Sequence, residues 1–254
     1  MKYFVTLALS SVLALSAIQQ PVQAGELKTC RNIADYLTGG TARYSLSYSQ
    51  IPGQIAITTH EFVVSGNQYK LSSTSKATGF LAMLYSGTLN QKSEGVIEPG
   101  IGLVPIYYSE QRGKKPLQET VIDTEHKQVV FKKNGEKAAL ESRLQDRLSM
   151  IYEMVALLRC KGKVDQGDVM KMRVMTTGAL DTEPFTFKKS ENLELNLGKE
   201  SKTVKTYLFE LAPQEADDDT VRLWFAPELN WTAAQIQVED HKGAQLTQTL
   251  VGLQ

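Results

Sequence analysis

An excess of charge of either sign is what this chain lacks: its 254 residues carry 28 Lys and Arg against 28 Asp and Glu. Without a basic field there is no electrostatic case for a nucleic-acid partner. Histidine is scarce, three in all, and none is clustered with another in sequence, which removes the usual basis of a zinc site. His60-Glu61 opens like the zinc-binding His-Glu-x-x-His helix, but Val64 stands where the second histidine belongs and the run around it alternates like a strand. No Gly-x-Ser-x-Gly elbow and no Gly-x-x-x-x-Gly-Lys-Ser/Thr phosphate loop occurs. The acidic Asp217-Asp218-Asp219 run lacks the spaced ligands and glycine of a calcium loop. The expectation is a protein that is not an enzyme and needs no cofactor and no metal.

Long apolar runs are confined to one place. Lys2 precedes an apolar stretch over residues 4–18, followed by Gln19, Gln20, Pro21 and the small-residue ending Val22-Gln23-Ala24. This reads as a cleavable secretory signal over residues 1–24. It is too short for a membrane span, which needs about 20 apolar residues, and no Cys follows Ala24 to carry a lipid anchor. Residues 25–254 then form a single β-rich domain in the periplasm, within the roughly 200–250 residues that one β-sandwich or barrel can occupy. Only two cysteines are present, Cys30 and Cys160. In an oxidising compartment they pair most simply as one disulfide, whose long loop is worth at most about 5 kcal/mol in the chain-entropy account. A redox-active pair is the rival, but such cysteines usually sit two residues apart.

What the chain does have is a succession of strand-like runs separated by turns. Residues 44–48, 55–62 and 69–73 alternate apolar with polar, and Ser65-Gly66-Asn67 joins the last two as a hairpin. Further strands are expected at 80–89, 95–97, 104–110, 119–123 and 128–132, then at 169–175, 184–188, 193–197, 203–211, 221–225, 232–239 and 244–250. One segment breaks this rhythm. Leu144, Leu148, Ile151, Tyr152, Val155 and Leu158 recur every three or four residues, the period of a helix over 143–159 that buries one face. Ser142 suits its N-cap, Arg159 and Lys161 its C-terminal dipole end, and Gly162 its termination. With no linker between the halves, the fold class is mostly β: a single curved antiparallel sheet or half-barrel packed on this one main helix.

Two clusters stand out as candidate binding residues. Residues 95–112 join a Gly/Pro-rich bend to a strand, with alternation placing Ile106, Tyr108 and Glu110 on one face and Arg112 continuing the row. Tyr108 and Arg112 would then form the polar edge of an apolar groove; otherwise Tyr108 packs in the core and Glu110 pairs with Arg112. Residues 223–231 hold both tryptophans, with Trp224 and Phe225 pointing to opposite faces. Tyr108, Arg112 and Trp224 are therefore the candidate ligand-binding residues, suited to a ligand with an apolar tail and an anionic head.

Taken in order, Gly66-Asn-Gln-Tyr-Lys-Leu-Ser-Ser73, Ser93-Glu-Gly95, Gly102-Leu-Val-Pro-x-x-Tyr108 with Glu110 and Arg112, and Trp224-Phe-Ala-Pro-Glu-Leu229 resemble the bacterial exported domain of unknown function 3108. The resemblance runs from about residue 44 to 250. It implies a curved antiparallel sheet with a helix, similar in shape to the lipoprotein-carrier half-barrels of the periplasm, and supplies no catalytic residues. Where the family has a later proline, this chain carries Ala233-Ala234.

The functional expectation is a periplasmic protein of the cell envelope that binds an apolar or lipid-like ligand in a groove between sheet and helix. A structural or assembly factor that binds another envelope protein is the second reading, and a hydrolase the third. Processing is directly testable: the exported protein should begin at Gly25, so its intact mass should lack the first 24 residues. A mature species that keeps them would overturn the compartment and the redox argument together.

Overall fold

The structure, a computed structural model, describes residues 30–79, 82 and 87–254. The leader expected over residues 1–24 and much of the strand expected at 80–89 fall outside these. The described chain forms β1 (Gly40–Tyr48), β2 (Ile51–Ser65), β3 (Gln68–Ala77), β4 (Thr88–Glu98), β5 (Gly102–Arg112), β6 (Gln118–Asp123), β7 (Gln128–Phe131), β8 (Lys137–Ala139) and β9 (Leu144–Asp146). The helix α1 (Ser149–Lys161) follows, and then β10 (Val169–Met175), β11 (Leu180–Leu197), β12 (Glu200–Leu211), β13 (Thr220–Ala226), β14 (Thr232–Glu239) and β15 (Gln245–Leu253).

All of these strands belong to one open sheet, in the order β8-β7-β6-β5-β4-β3-β2-β1-β15-β14-β13-β12-β11-β10-β9. The first and last strands are neighbours at its centre, where Tyr44 lies opposite Leu250. Two meanders run outward from that seam, every pairing antiparallel except β9 with β10. Sheets of this width curl, and here the far ends come within side-chain reach of each other. Gln145 of β9 donates to the carbonyl of Leu103 on β5 at 2.7 Å, and the Thr120 hydroxyl of β6 donates to the carbonyl of Thr176 after β10 at 2.8 Å. The fold is mostly β, one open antiparallel sheet with a single α-helix among the described residues.

Alternation along the strands explains the core. Phe62, Tyr69, Leu71, Leu103, Phe185, Phe209 and Phe225 are buried in one cluster with Met154 and Leu158 of α1. The Phe62 and Tyr152 rings lie 4.9 Å apart. A second cluster forms where the long β11–β12 hairpin folds back on β15, its Gly198 amide donating to the carbonyl of Val251 at 3.1 Å. Tyr44, Leu195, Val204 and Leu250 meet there. Cys30 and Cys160 are bonded, Cα atoms 6.2 Å apart across 130 residues. The bond ties the 3-10 turn Ile33–Tyr36 to the last turn of α1.

Five sequence expectations need correction. The helix starts at Ser149 rather than 143, because residues 144–146 are drawn into β9 against Arg173–Met175. The cap is Asp146, not Ser142: its Oδ1 accepts the amides of Leu148 and Ser149 at 2.9 Å, while the Ser149 hydroxyl accepts the amide of Asp146 at 2.8 Å. Gly162 ends the helix as expected, at φ 66°. The strands expected at 184–188 and 193–197 are one strand, β11, carrying a bulge between Phe187 and Lys189. Ile106 is not on the face of Tyr108. Gly95 pairs with Pro105 and Glu94 with Tyr107, so Ile106 is the extra residue of a bulge and is 42% exposed. Burial on α1 is also wider than one face, since Met150, Met154 and Ala156 are enclosed along with Val155 and Leu158. No helix among the described residues is long and apolar enough to cross a membrane.

Gly95 makes the bulge possible. A Cβ there would sit 2.1 Å from the carbonyl oxygen of Val104 and 2.8 Å from the Pro105 Cα, both backbone atoms that cannot swing away. Gly95→Ala should therefore destabilise the protein by about 3 kcal/mol, measurable by urea denaturation. An unchanged midpoint would show that the β4–β5 contact is looser than described.

Candidate functional site

A cavity of about 240 Å³ opens between α1 and the central strands. Period-two alternation brings Ala42 and Tyr44 of β1 and His60 and Phe62 of β2 to its wall. Helical spacing brings Ile151, Tyr152, Val155 and Arg159 to the opposite side. Residues 36–41, which lead from the disulfide-anchored turn into β1, form a strap along one edge, and Ala233 of β14 and Leu253 of β15 complete the enclosure. Arg159 fastens the strap: its guanidinium donates to the carbonyl of Tyr36 at 2.8 Å, to the hydroxyl of Thr38 at 2.9 Å and to the carbonyl of Asn230 at 2.8 Å.

The polar groups in this wall are held neutral. His60 is 4% exposed, and burial pushes its pKa down to about 4, so its ring is uncharged near neutral pH. It lies 5.0 Å from the Tyr44 ring. Burial also raises the hydroxyls of Tyr44 and Tyr152 above the ordinary tyrosine range. Arg159 is the one charged side chain lining the cavity among the described residues, and all three of its acceptors are neutral. The arrangement is a largely apolar chamber with a guanidinium in its rim that is hydrogen-bonded to neutral acceptors.

The residues singled out from sequence lie elsewhere. Tyr108 is 1% exposed in the core, its hydroxyl accepting from Gln91 at 3.1 Å, and Arg112 is paired with Glu110 at 2.6 Å. Both line a second cavity of about 410 Å³ outside the β9–β10 end of the sheet. Trp224 does not join them. It is buried on β13 opposite Leu208 and Gln235, with its indole N–H donating to Glu191 at 2.7 Å, and lines neither cavity. The residues of the helix–sheet cavity were passed over in the sequence for separate reasons: Arg159 read as a dipole-end residue, and His60 as the remnant of a motif that was not there. The available signal was the i, i+4 pair Val155 and Arg159 on a helix otherwise apolar along that face.

Two carboxylates are buried at α1, Asp146 just before it and Glu153 on it. Asp146 accepts from the hydroxyl of Ser93, which also meets the Tyr69 hydroxyl at 3.1 Å; burial outweighs these bonds and raises the Asp146 pKa to about 6. Glu153 accepts the amide of Leu103 at 2.9 Å, and burial raises its pKa to about 7, against a smaller opposing pull from Arg143. No group of three or more His, Cys, Asp or Glu among the described residues is placed to hold a metal ion.

Comparison with known proteins bears on family alone. Residues 43–251 match the family described as "Protein of unknown function (DUF3108)". No curated protein matches the chain. A crystal structure described as a beta-barrel-like protein of domain of unknown function DUF1849 from Brucella abortus is similar at 10% identity and a TM-score of 0.49, covering 85% of this chain and 97% of that one.

The buried carboxylates set a pH dependence whose sign is fixed by their raised pKa values. Each binds its proton more tightly in the folded protein, so its contribution to stability is complete below the ordinary carboxylate range and is lost as pH rises through about 6 for Asp146 and about 7 for Glu153. His60 acts oppositely, losing stability as pH falls from 6.5 toward about 4. Glu153→Gln isolates one component: relative to the wild type, its melting temperature should be highest at pH 8 and fall back by pH 5. A difference that stays flat over that range would remove the buried-carboxylate account.

Proposed function

Since the chain belongs to the DUF3108 family, whose description carries no activity, its role must be read from its cavities, and we propose that it is a non-catalytic periplasmic binding protein for a single-chain amphipathic ligand, an apolar body bearing one negative charge. The observation that carries this reading is the chamber between α1 and the sheet: apolar walls, neutral polar groups, and Arg159 as the only charged side chain in its lining among the described residues. Its volume of about 240 Å³ exceeds the roughly 150 Å³ in which an apolar cavity takes up benzene. It suits a ring or part of one acyl chain rather than a two-chain lipid. The Cys30–Cys160 bond fits an oxidising compartment, in keeping with the leader read from residues 1–24.

Dansylated undecanoate and its methyl ester test the reading. The wild-type protein should bind one molecule of the acid saturably, with blue-shifted emission. Ile151→Trp, which fills the chamber from a half-buried position, should weaken both probes by at least about tenfold while keeping the wild-type melting temperature. Arg159→Gln, which retains donors for the strap but removes the charge, should weaken the acid and leave the ester unchanged. Absence of saturable binding to the wild type would sink the carrier reading and leave the envelope assembly factor in its place.

A further inference from the structure

The larger cavity, of about 410 Å³, shares no residue with the helix–sheet chamber and differs from it in chemistry. It lies where the curled sheet brings its two arms together. Arg112 comes from the end of β5, Lys115 from the turn after it, Lys133 from the β7–β8 turn and Arg147 from the residues between β9 and α1. The β10–β11 turn closes the far side through Thr176 and Thr177, the latter donating its hydroxyl to Gln118 at 3.0 Å. The floor is Tyr108.

Four cations among the described residues thus face one concavity, and Glu110 is the single carboxylate that those residues bring to its lining. That carboxylate is already spent. Its Oε1 accepts from Arg112 at 2.6 Å and its Oε2 from Gln91 at 3.0 Å, with the side chain only 11% exposed. Glu183 of β11 lies near enough to feel the charge of Arg147 but makes no ion pair with it among the described residues. Lys115, Lys133 and Arg147 have no ion-pair partner at all among the described residues. Like charges gathered around a concave site raise the local potential unless a counter-charge enters. Two guanidinium forks and two ammonium groups match the oxygen geometry and multiple charge of a phosphate better than a single carboxylate.

We propose that this cavity is an anion site for a small molecule bearing a phosphate or diphosphate group, gripped between Arg112, Lys115 and Lys133 on one arm of the sheet and Arg147 on the segment that follows β9 at the end of the other. Its volume falls within the about 300–1,000 Å³ of ordinary small-ligand pockets, which favours a compact phosphorylated molecule over an extended acidic polymer. Because Arg147 lies across the gap from the other three, where the arms are joined by side chains rather than by a strand ladder, a bound anion also holds the two ends of the open sheet together.

Isothermal titration of the disulfide-bonded protein with inorganic pyrophosphate at low salt is the direct test. Saturable binding is expected, weakening as salt rises. Arg147→Gln, at an exposed side chain free of hydrogen bonds among the described residues, should reduce affinity by about tenfold without altering the melting temperature. Combining it with Lys133→Gln should abolish binding. Lys242→Gln, in the β14–β15 turn, should change nothing. Parallel titrations with glycerol phosphate and with a short-chain phosphatidic acid separate the sources: binding of both indicates a free phosphorylated metabolite, and binding of the phosphatidic acid alone a lipid headgroup. No saturable heat with any of the three, or an affinity that Lys242→Gln lowers as much as Arg147→Gln does, would overturn the site and leave four solvated surface cations.

Discussion

The carboxylate of Asp146 is the interaction on which the rest of the architecture turns. It is wholly buried, ends β9, accepts the first amides of α1, and takes the hydroxyl of Ser93 from β4, which in turn meets Tyr69 of β3. A buried carboxylate is tolerated only when its lone pairs are satisfied, and here satisfying them requires three separate segments to arrive together. That requirement sets where the helix begins. Both cavities inherit it: Arg147 follows Asp146 directly into one, and the face of α1 that starts at Ile151 lines the other.

A second constraint acts from the opposite end of the helix. The Cys30–Cys160 bond and the two hydrogen bonds of Arg159 to Tyr36 and Thr38 hold residues 36–41 against α1 before the chain enters β1. Because β1 pairs with β15 at the middle of the sheet, fixing this strap fixes the meeting point of the two meanders. The chamber beneath it is therefore bounded by covalent and hydrogen-bonded restraints rather than by side-chain packing alone. A rigid boundary limits the ordering cost that a ligand must meet on entry.

Legibility followed the local physics. Where one face of a strand is buried and the other wet, alternation located it well: residues 169–175 and 232–239 coincide with β10 and β14. It failed at Ile106, where a bulge inserts a residue and reverses the faces beyond it, and it ended a strand at Lys188, where a second bulge interrupts the alternation of β11. Only Gly95 hints at the first bulge, and its meaning depends on a strand that is distant until the chain folds. The helix was found by its period but begun six residues early, since Leu144 and Leu148 extend the apolar rhythm through a strand and a cap. Asp146, three residues ahead of Ser149, was the capping signal, outweighed by periodicity. The site was less legible than the fold. Tyr108 and Arg112 do share a cavity, but Trp224, chosen for its aromatic area, is committed to Glu191 on another part of the sheet.

That outcome has a physical reason. In a wide curled sheet the conspicuous residues, aromatic and buried, are those with the most to gain from packing, and their polar atoms find partners: Tyr108 with Gln91, Tyr69 with Ser93, Trp224 with Glu191. What remains for a ligand is whatever the fold leaves unsatisfied, and in this chain that is positive charge. Arg159 offers its hydrogen bonds only to neutral acceptors, and Arg147, Lys115 and Lys133 are placed around a hollow without acids to answer them. Each of these cations, met in sequence, looks like an ordinary solvated side chain in a chain of balanced charge. Balance over the whole molecule says nothing about balance at a concave surface, where like charges brought from separate segments add their fields. The two cavities differ in their walls, one apolar and one polar, yet both present cationic side chains that have no ion-pair partner among the described residues: Arg159 in one, and Lys115, Lys133 and Arg147 in the other.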